Sequence, residues 1–177
     1  KVYYRNDMEE RQVESLKKLL IHTAKDPRVI LIKLADRLHN MSTLGHISKP
    51  EKRARISRET LEIYVPMANL LGIQDLKSKL EDYCFMYLHT EDYDQLKARI
   101  SKTAKNHKET LSKMMKKINS DLETHGIKAE VQGREKGLYS IYKKIKSEKK
   151  SVEDIHDRIA LRIITNNKSD CYAALGV

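Results

Sequence analysis

Four polar side chains in KLADRLHNMSTL, residues 33–44, are of types that could act on a charged ligand. At 3.6 residues per turn, Asp36, Asn40 and Thr43 share one helix face, with His39 beside them. A carboxylate and an imidazole suit a hard divalent cation held on a rigid helix, and an amide can donate or accept without adding charge. Leu31, Leu34, Ala35, Leu38 and Met41 form an apolar stripe nearby, which places Asp36 at the edge of a buried surface. Burying a carboxylate unpaired is costly or shifts its pKa, so Asp36 needs a partner. That partner is an Arg, a set of backbone N–H groups or a metal ion.

A second candidate region is defined by charge. The formal charge is +10, and residues 97–150 hold 16 Lys and Arg against 6 Asp and Glu, while the remainder balances at 19 each. Such a stretch suits an anionic partner: nucleotide phosphates, RNA or an acidic surface. Over residues 97–120 a solvated long helix accounts for the lysines. Residues 134–150 are the better candidates for phosphate contacts.

The elements that must position these residues are mostly helical. Apolar residues make up 40% of the 177 positions, with one Phe, no Trp, six Gly and three Pro, so the core is modest. Met8, Val13, Leu16, Leu19, Leu20 and Thr23 predict a first helix over residues 8–24. Asp26-Pro27 predicts an N-cap for the next helix, which runs to Leu44 and stops at Gly45. Ser48-Lys-Pro-Glu51 has the pattern of a capping box and opens a third helix, which Pro66 bends and Gly72 ends. A fourth helix covers about 73–88, and Thr90 caps a fifth of about 35 residues, sparsely apolar, ending near Gly126.

At Gly126 the texture changes. IKAEVQG reads as a strand, residues 137–149 as a basic helix, RIALRIIT (158–165) as a buried strand, and DCYAALGV as the start of a helix. This is a β-α-β opening. Two strands do not close a sheet, so the chain reads as a piece of something longer. The fold class is therefore mainly α, followed by the start of an α/β domain. Cys84 and Cys171 fit no metal or redox spacing and read as reduced thiols. No signal peptide and no apolar run near 18 residues is present, so a soluble cytoplasmic protein with no membrane contact is expected.

Five stretches resemble consecutive blocks of the RelA/SpoT (long Rel) enzymes, which make and destroy the alarmone (p)ppGpp: KDPRVILIKLADRLHNMSTL, RETLEIYVPMANLLGI, LEDYCFMYLH, GREKGLYSIYKKI and DCYAALGV. The resemblance covers nearly residues 10–177, in the family's order and spacing. It implies that residues 1–88 are the C-terminal part of an HD-type hydrolase domain, residues 89–126 linking helices, and residues 127–177 the start of a nucleotidyltransferase-like synthetase domain. It also implies roles. Asp36 is a ligand of a catalytic Mn²⁺, and Asn40 and Thr43 face the guanine nucleotide. Arg134, Lys136, Ser140 and Lys144 hold ATP, and Asp157 binds Mg²⁺. On the residues themselves, His39 reads as a structural hydrogen-bonding residue, and Arg37, which points away from this face, as a surface or supporting ion pair.

The family's remaining metal ligands, a His and a His-Asp pair with a following Glu-Asp, lie upstream of ADRLHN, and no such pattern precedes Asp36 here. The acceptor loop and the second synthetase carboxylate lie beyond Val177. The chain alone is thus expected to be inactive, with no complete catalytic set. Its parent would use ATP, GDP or GTP, and (p)ppGpp, while ribosome contacts through other regions and the oligomeric state stay open. Departures from the family pattern are Ser42, Leu70, Glu135 and Gly137; Gly137 puts part of the adenine-side packing in question. Two alternatives remain: a non-catalytic helical regulatory or RNA-binding module, and a synthetase-only parent with a dead hydrolase domain. Against the RNA module, aromatics are not interleaved with the lysines as stacking platforms would be.

Overall fold

The computed structural model describes residues 26, 28–149, 151, 152, 155 and 158–177, with the side chains of 102–108 left aside. The predicted first helix and Asp157 lie outside these residues. The described chain is mainly helical with one two-stranded sheet, and it divides into two compact units at Glu91 and Asp92.

In the first unit, α1 (Arg28–Ser42) carries the ADRLHN stretch. Asp26 caps it as expected. Its Oδ1 accepts from the Arg28 N–H at 2.9 Å and from Arg28 Nε at 3.0 Å, which holds the Asp26 carboxyl below the usual range. A 3₁₀ turn (Leu44–His46) closes the helix, and α2 (Pro50–Glu59) follows with Pro at its start. The expected capping box does not form: Lys49 is the N-cap residue and no side chain caps α2.

The bend expected at Pro66 takes the form of a π turn over Thr60–Tyr64, followed by α3 (Val65–Leu70). The Val65 N–H reaches back five residues to the Thr60 carbonyl. Pro66 has no N–H to continue a regular ladder, so the widened turn accommodates it. Then α4 (Gln74–Leu88) completes the unit. Ile30, Leu34 and Met41 of α1 pack with Leu44, Val65, Met67, Ala68, Leu80 and Cys84 into one apolar core.

In the second unit, α5 (Thr90–Thr124) is 35 residues long, mostly exposed where its side chains are described, with Leu96 and Leu122 buried. Gly126, at φ +69°, ends it: the Ile127 N–H reaches the Leu122 carbonyl and the Gly126 N–H reaches that of Glu123. This is the left-handed stop that a residue without Cβ makes cheaply. Strand β1 (Ala129–Glu135) leads into α6 (Leu138–Glu148), β2 (Ile159–Thr165) and α7 (Lys168–Gly176).

The strands of this β-α-β run antiparallel, with Val131 opposite Ile163 and Arg134 opposite Ala160. The expected buried strand is corrected. β2 alternates between half-buried and exposed positions, with Ala160, Arg162 and Ile164 on the exposed face. An apolar run of this length looks alike whether one face or both are covered.

Candidate functional site

The α1 face gathers the three residues that spacing assigned to it, but with different energetics. Asp36 is exposed, as are Ala35 and Leu31, so the core stripe of α1 is narrower than the apolar residues suggested. Burial on α1 centres on Ile30, Leu34 and Met41, which leaves residue 36 on the solvent flank. The desolvation argument for a partner therefore does not apply to Asp36, because an exposed carboxylate is hydrated.

Its partner among the described residues is Asn40. The Asn40 amide donates to Asp36 Oδ2 at 3.1 Å. Among the described residues no guanidinium takes that place. Thr43 Oγ1 lies 3.2 Å from the His39 carbonyl and 3.3 Å from that of Asn40, so its proton is spent on the helix backbone. The exposed His39 ring makes no hydrogen bond among the described residues, which corrects its expected structural role. Its backbone carbonyl accepts from the Ser42 and Thr43 hydroxyls.

Arg37 makes the expected ion pair, though it is not a surface residue. Nη2 lies 2.7 Å from Glu59 Oε1, with the Arg37 side chain 15% exposed. The same nitrogen donates to Tyr64 Oη at 2.9 Å, and the guanidinium lies 4.0 Å from the Tyr64 ring centroid. Below this cluster Cys84 is buried, and burial, with the Glu81 charge, pushes its thiol up to about 12.

Among the described residues no group of three or more His, Cys, Asp or Glu could hold a metal ion. Asp36 fits a hard cation as one ligand: an exposed carboxylate on a helix anchored in the core, with Oδ2 already oriented by Asn40. One such group does not hold a divalent ion alone.

The second candidate region is spread over β1 and α6. Arg134 is exposed on β1. Lys136 follows the strand, half-buried, with its N–H on the Arg158 carbonyl at 2.8 Å. Ser140 and Lys144, both half-buried, stand one turn apart on α6. Arg162 was missed in the sequence. Pairing register puts it on the sheet face that also carries Arg134, the face opposite Val131 and Gly133. Strand alternation would have found it, had RIALRIIT not read as buried on both sides.

Aromatics do interleave with lysines on α6, contrary to expectation. Lys143 Nζ lies 4.7 Å from the Tyr139 ring centroid, Lys146 Nζ lies 5.4 Å from that of Tyr142, and the two rings stack at 6.3 Å. The Tyr142 hydroxyl donates to Asp92 Oδ2 at 2.8 Å. These rings are engaged by their own helix and by α5, which is not the arrangement of open stacking platforms.

The HD-domain profile matches residues 4–74, and the profile of the region found in RelA and SpoT proteins matches residues 133–177. A GTP pyrophosphokinase of Myxococcus xanthus is 48% identical over 169 residues, 96% of this chain and 22% of that protein. The two profiles and this identity, running through both candidate regions, decide the family.

The chain belongs to the RelA/SpoT family.

Two further relatives match nearly the whole chain. The guanosine-3′,5′-bis(diphosphate) 3′-pyrophosphohydrolase of Aquifex aeolicus is 42% identical over all of this chain and 25% of that protein. The bifunctional (p)ppGpp synthase/hydrolase SpoT of Escherichia coli K12 is 44% identical over 96% of this chain and 24% of that protein. This RelA/SpoT-family chain thus spans about a quarter of the length of these relatives. The HD domain implies a divalent metal. Among the described residues, no helix is long and apolar enough to cross a membrane.

Proposed function

We propose that the protein carrying this sequence acts in stringent-response (p)ppGpp metabolism. It transfers pyrophosphate from ATP to the 3′-hydroxyl of GDP or GTP, and it removes that 3′-pyrophosphate by Mn²⁺-assisted hydrolysis. The observation that carries the reading is one chain with an HD-domain match holding the Asp36–Asn40–Thr43 face and a RelA/SpoT match holding Arg134, Lys136, Ser140 and Lys144. In this reading residues 1–88 belong to the hydrolase domain, 89–126 link, and 127–177 open the synthetase domain. The location is the cytoplasm.

On the hydrolytic face, Asp36 is a ligand of Mn²⁺, and Asn40 and Thr43 meet the guanine nucleotide. Asn40 aims the Asp36 carboxylate by donating to Oδ2, and its own amide oxygen can accept from a base or ribose. Thr43 keeps its hydroxyl lone pairs for accepting, because its proton already serves the helix. The metal, when bound, supplies a water of lowered pKa and neutralises charge on the departing pyrophosphate.

In the synthetase half, Arg134, Lys136 and Lys144 neutralise charge that grows on phosphate oxygens, and Ser140 hydrogen-bonds them. Arg134 can grip in a fork or stack on adenine, which Lys cannot. Asp157 is the Mg²⁺ ligand of this reading. Arg162, on the same sheet face as Arg134, is a further cation for the ATP side. The test is to assay the full-length protein for both reactions. Transfer from ATP that requires Arg134, together with Mn²⁺-dependent release that requires Asp36, supports the proposal. Absence of both refutes it.

A further inference from the structure

Arg37 and Asp36 are neighbours on α1, so their side chains leave the helix about 100° apart. One is exposed and the other is tied into the unit. Arg37 Nη2 holds Glu59 Oε1 at 2.7 Å and Tyr64 Oη at 2.9 Å, its Nη1 lies 3.5 Å from Thr60 Oγ1, and its plane covers the Tyr64 ring at 4.0 Å. Thr60 Oγ1 in turn lies 3.4 Å from the sulfur of Met41, back on α1.

The geometry of the receiving side is unusual. Glu59 and Tyr64 are five residues apart, which in a regular α-helix puts them about 140° apart around the axis. They converge on one guanidinium because the chain between them is the π turn Thr60–Tyr64. A widened turn needs support from its surroundings, and here a guanidinium is fitted to it, with Nη2 on two acceptors and its plane on the Tyr64 ring.

We propose that Arg37 is a positioning residue: by clamping α1 to the π turn, it fixes the rotation of α1 about its own axis and hence the direction in which Asp36 and Asn40 are presented. Its importance for hydrolysis rests on the function proposed above. Any rotation of α1 that unseats Arg37 also swings Asp36, since both are on one rigid helix. Lysine at this position would keep the charge and lose the planar stack and the second nitrogen that faces Thr60.

The test compares Arg37→Lys, Tyr64→Phe and the wild type in the full-length protein, with Arg58→Lys, an exposed Arg on α2, as control. Three readouts are taken well below the melting temperature. The first is hydrogen exchange of the amides of residues 34–42. The second is Mn²⁺ binding, measured from the paramagnetic resonance of the free ion. The third is the steady-state rate of pyrophosphate release from ppGpp, with kcat and KM resolved separately.

For Arg37→Lys the expected result is exchange faster by about tenfold, and Mn²⁺ affinity weaker by about 10–100-fold with the lost rate recovered at excess Mn²⁺. Tyr64→Phe, which keeps the ring and loses one hydrogen bond, is a milder variant that should fold if Arg37→Lys does not. It gives the same pattern at roughly twofold to fivefold. Arg58→Lys changes none of the three. Wild-type exchange and wild-type Mn²⁺ affinity in Arg37→Lys would overturn the clamp. A wild type that releases no pyrophosphate while Arg37→Lys still exchanges faster refutes the hydrolytic reading and leaves the clamp supported.

Discussion

Leu111 of α5 lies over Gly133 of β1 so closely that a Cβ on residue 133 would come within 2.8 Å of Leu111 Cδ2 and within 2.8 Å of Met115 Sδ. The helix sits on the strand because residue 133 has no side chain. Gly133→Ala is expected to destabilise the second unit by about 1–3 kcal/mol through overpacking. Thermal unfolding checks this. Because the clash is with a flexible side chain, Leu111→Ala should make the Gly133→Ala loss smaller than it is alone, so the double mutant loses less than the sum of the two single losses.

Asn40 gives a different expectation, since it is exposed and, among the described residues, its side chain hydrogen-bonds to Asp36. Asn40→Ala should leave the melting temperature nearly unchanged, within about 0.5 kcal/mol of stability. On the proposed function, hydrolysis of (p)ppGpp should nevertheless weaken, by roughly tenfold or more in kcat/KM, as the aimed carboxylate and the proposed nucleotide contact are lost together. Steady-state kinetics beside a melting curve separates the two effects.

The two cysteines should behave oppositely. Cys84 is buried with its thiol at about 12, while Cys171 is exposed. At pH 8 a disulfide reagent is expected to label Cys171 in the isolated folded chain and to reach Cys84 only on unfolding. Labelling of Cys84 at the rate of a free thiol would show that the first unit opens readily.

Tyr142 makes the alkaline side of stability testable. Burial, together with the Asp92 carboxylate that accepts the hydrogen bond of its hydroxyl, raises the phenol from 10.0 to about 12. A folded value above the unfolded one means the contribution is complete below about pH 10 and is lost as pH rises from 10 to 12. Ultraviolet titration should find one phenol ionising near that upper limit, and Tyr142→Phe should abolish it and flatten unfolding stability across the same window.

Much of this molecule was legible in residue types. Asp26 and Gly126 marked helix ends because each supplies a backbone requirement locally, a side-chain acceptor in one case and a left-handed φ in the other. Spacing alone put Asp36, Asn40 and Thr43 on one face. What spacing could not give was burial. The stripe Leu31–Leu34–Ala35–Leu38–Met41 places Asp36 at the edge of a buried surface, yet burial on this helix is confined to Ile30, Leu34 and Met41. The capping box failed for a related reason, since two side-chain orientations must cooperate and the pattern specifies only the residue types. Arg37 was read as an ion pair without its partners, because Glu59 and Tyr64 meet only through a π turn that periodicity does not foresee. For β2, seven residues rich in Ile and Leu did not reveal that one face is open.

The central claim is that the exposed Asp36 carboxylate serves a divalent cation. The most direct measurement is Mn²⁺-dependent release of pyrophosphate from ppGpp by the full-length protein and its Asp36→Asn variant, with Mn²⁺ binding followed in parallel. The account predicts loss of release by about a hundredfold or more, together with weakened Mn²⁺ binding and an unchanged melting curve. Release and Mn²⁺ binding by Asp36→Asn at the wild-type level would contradict it.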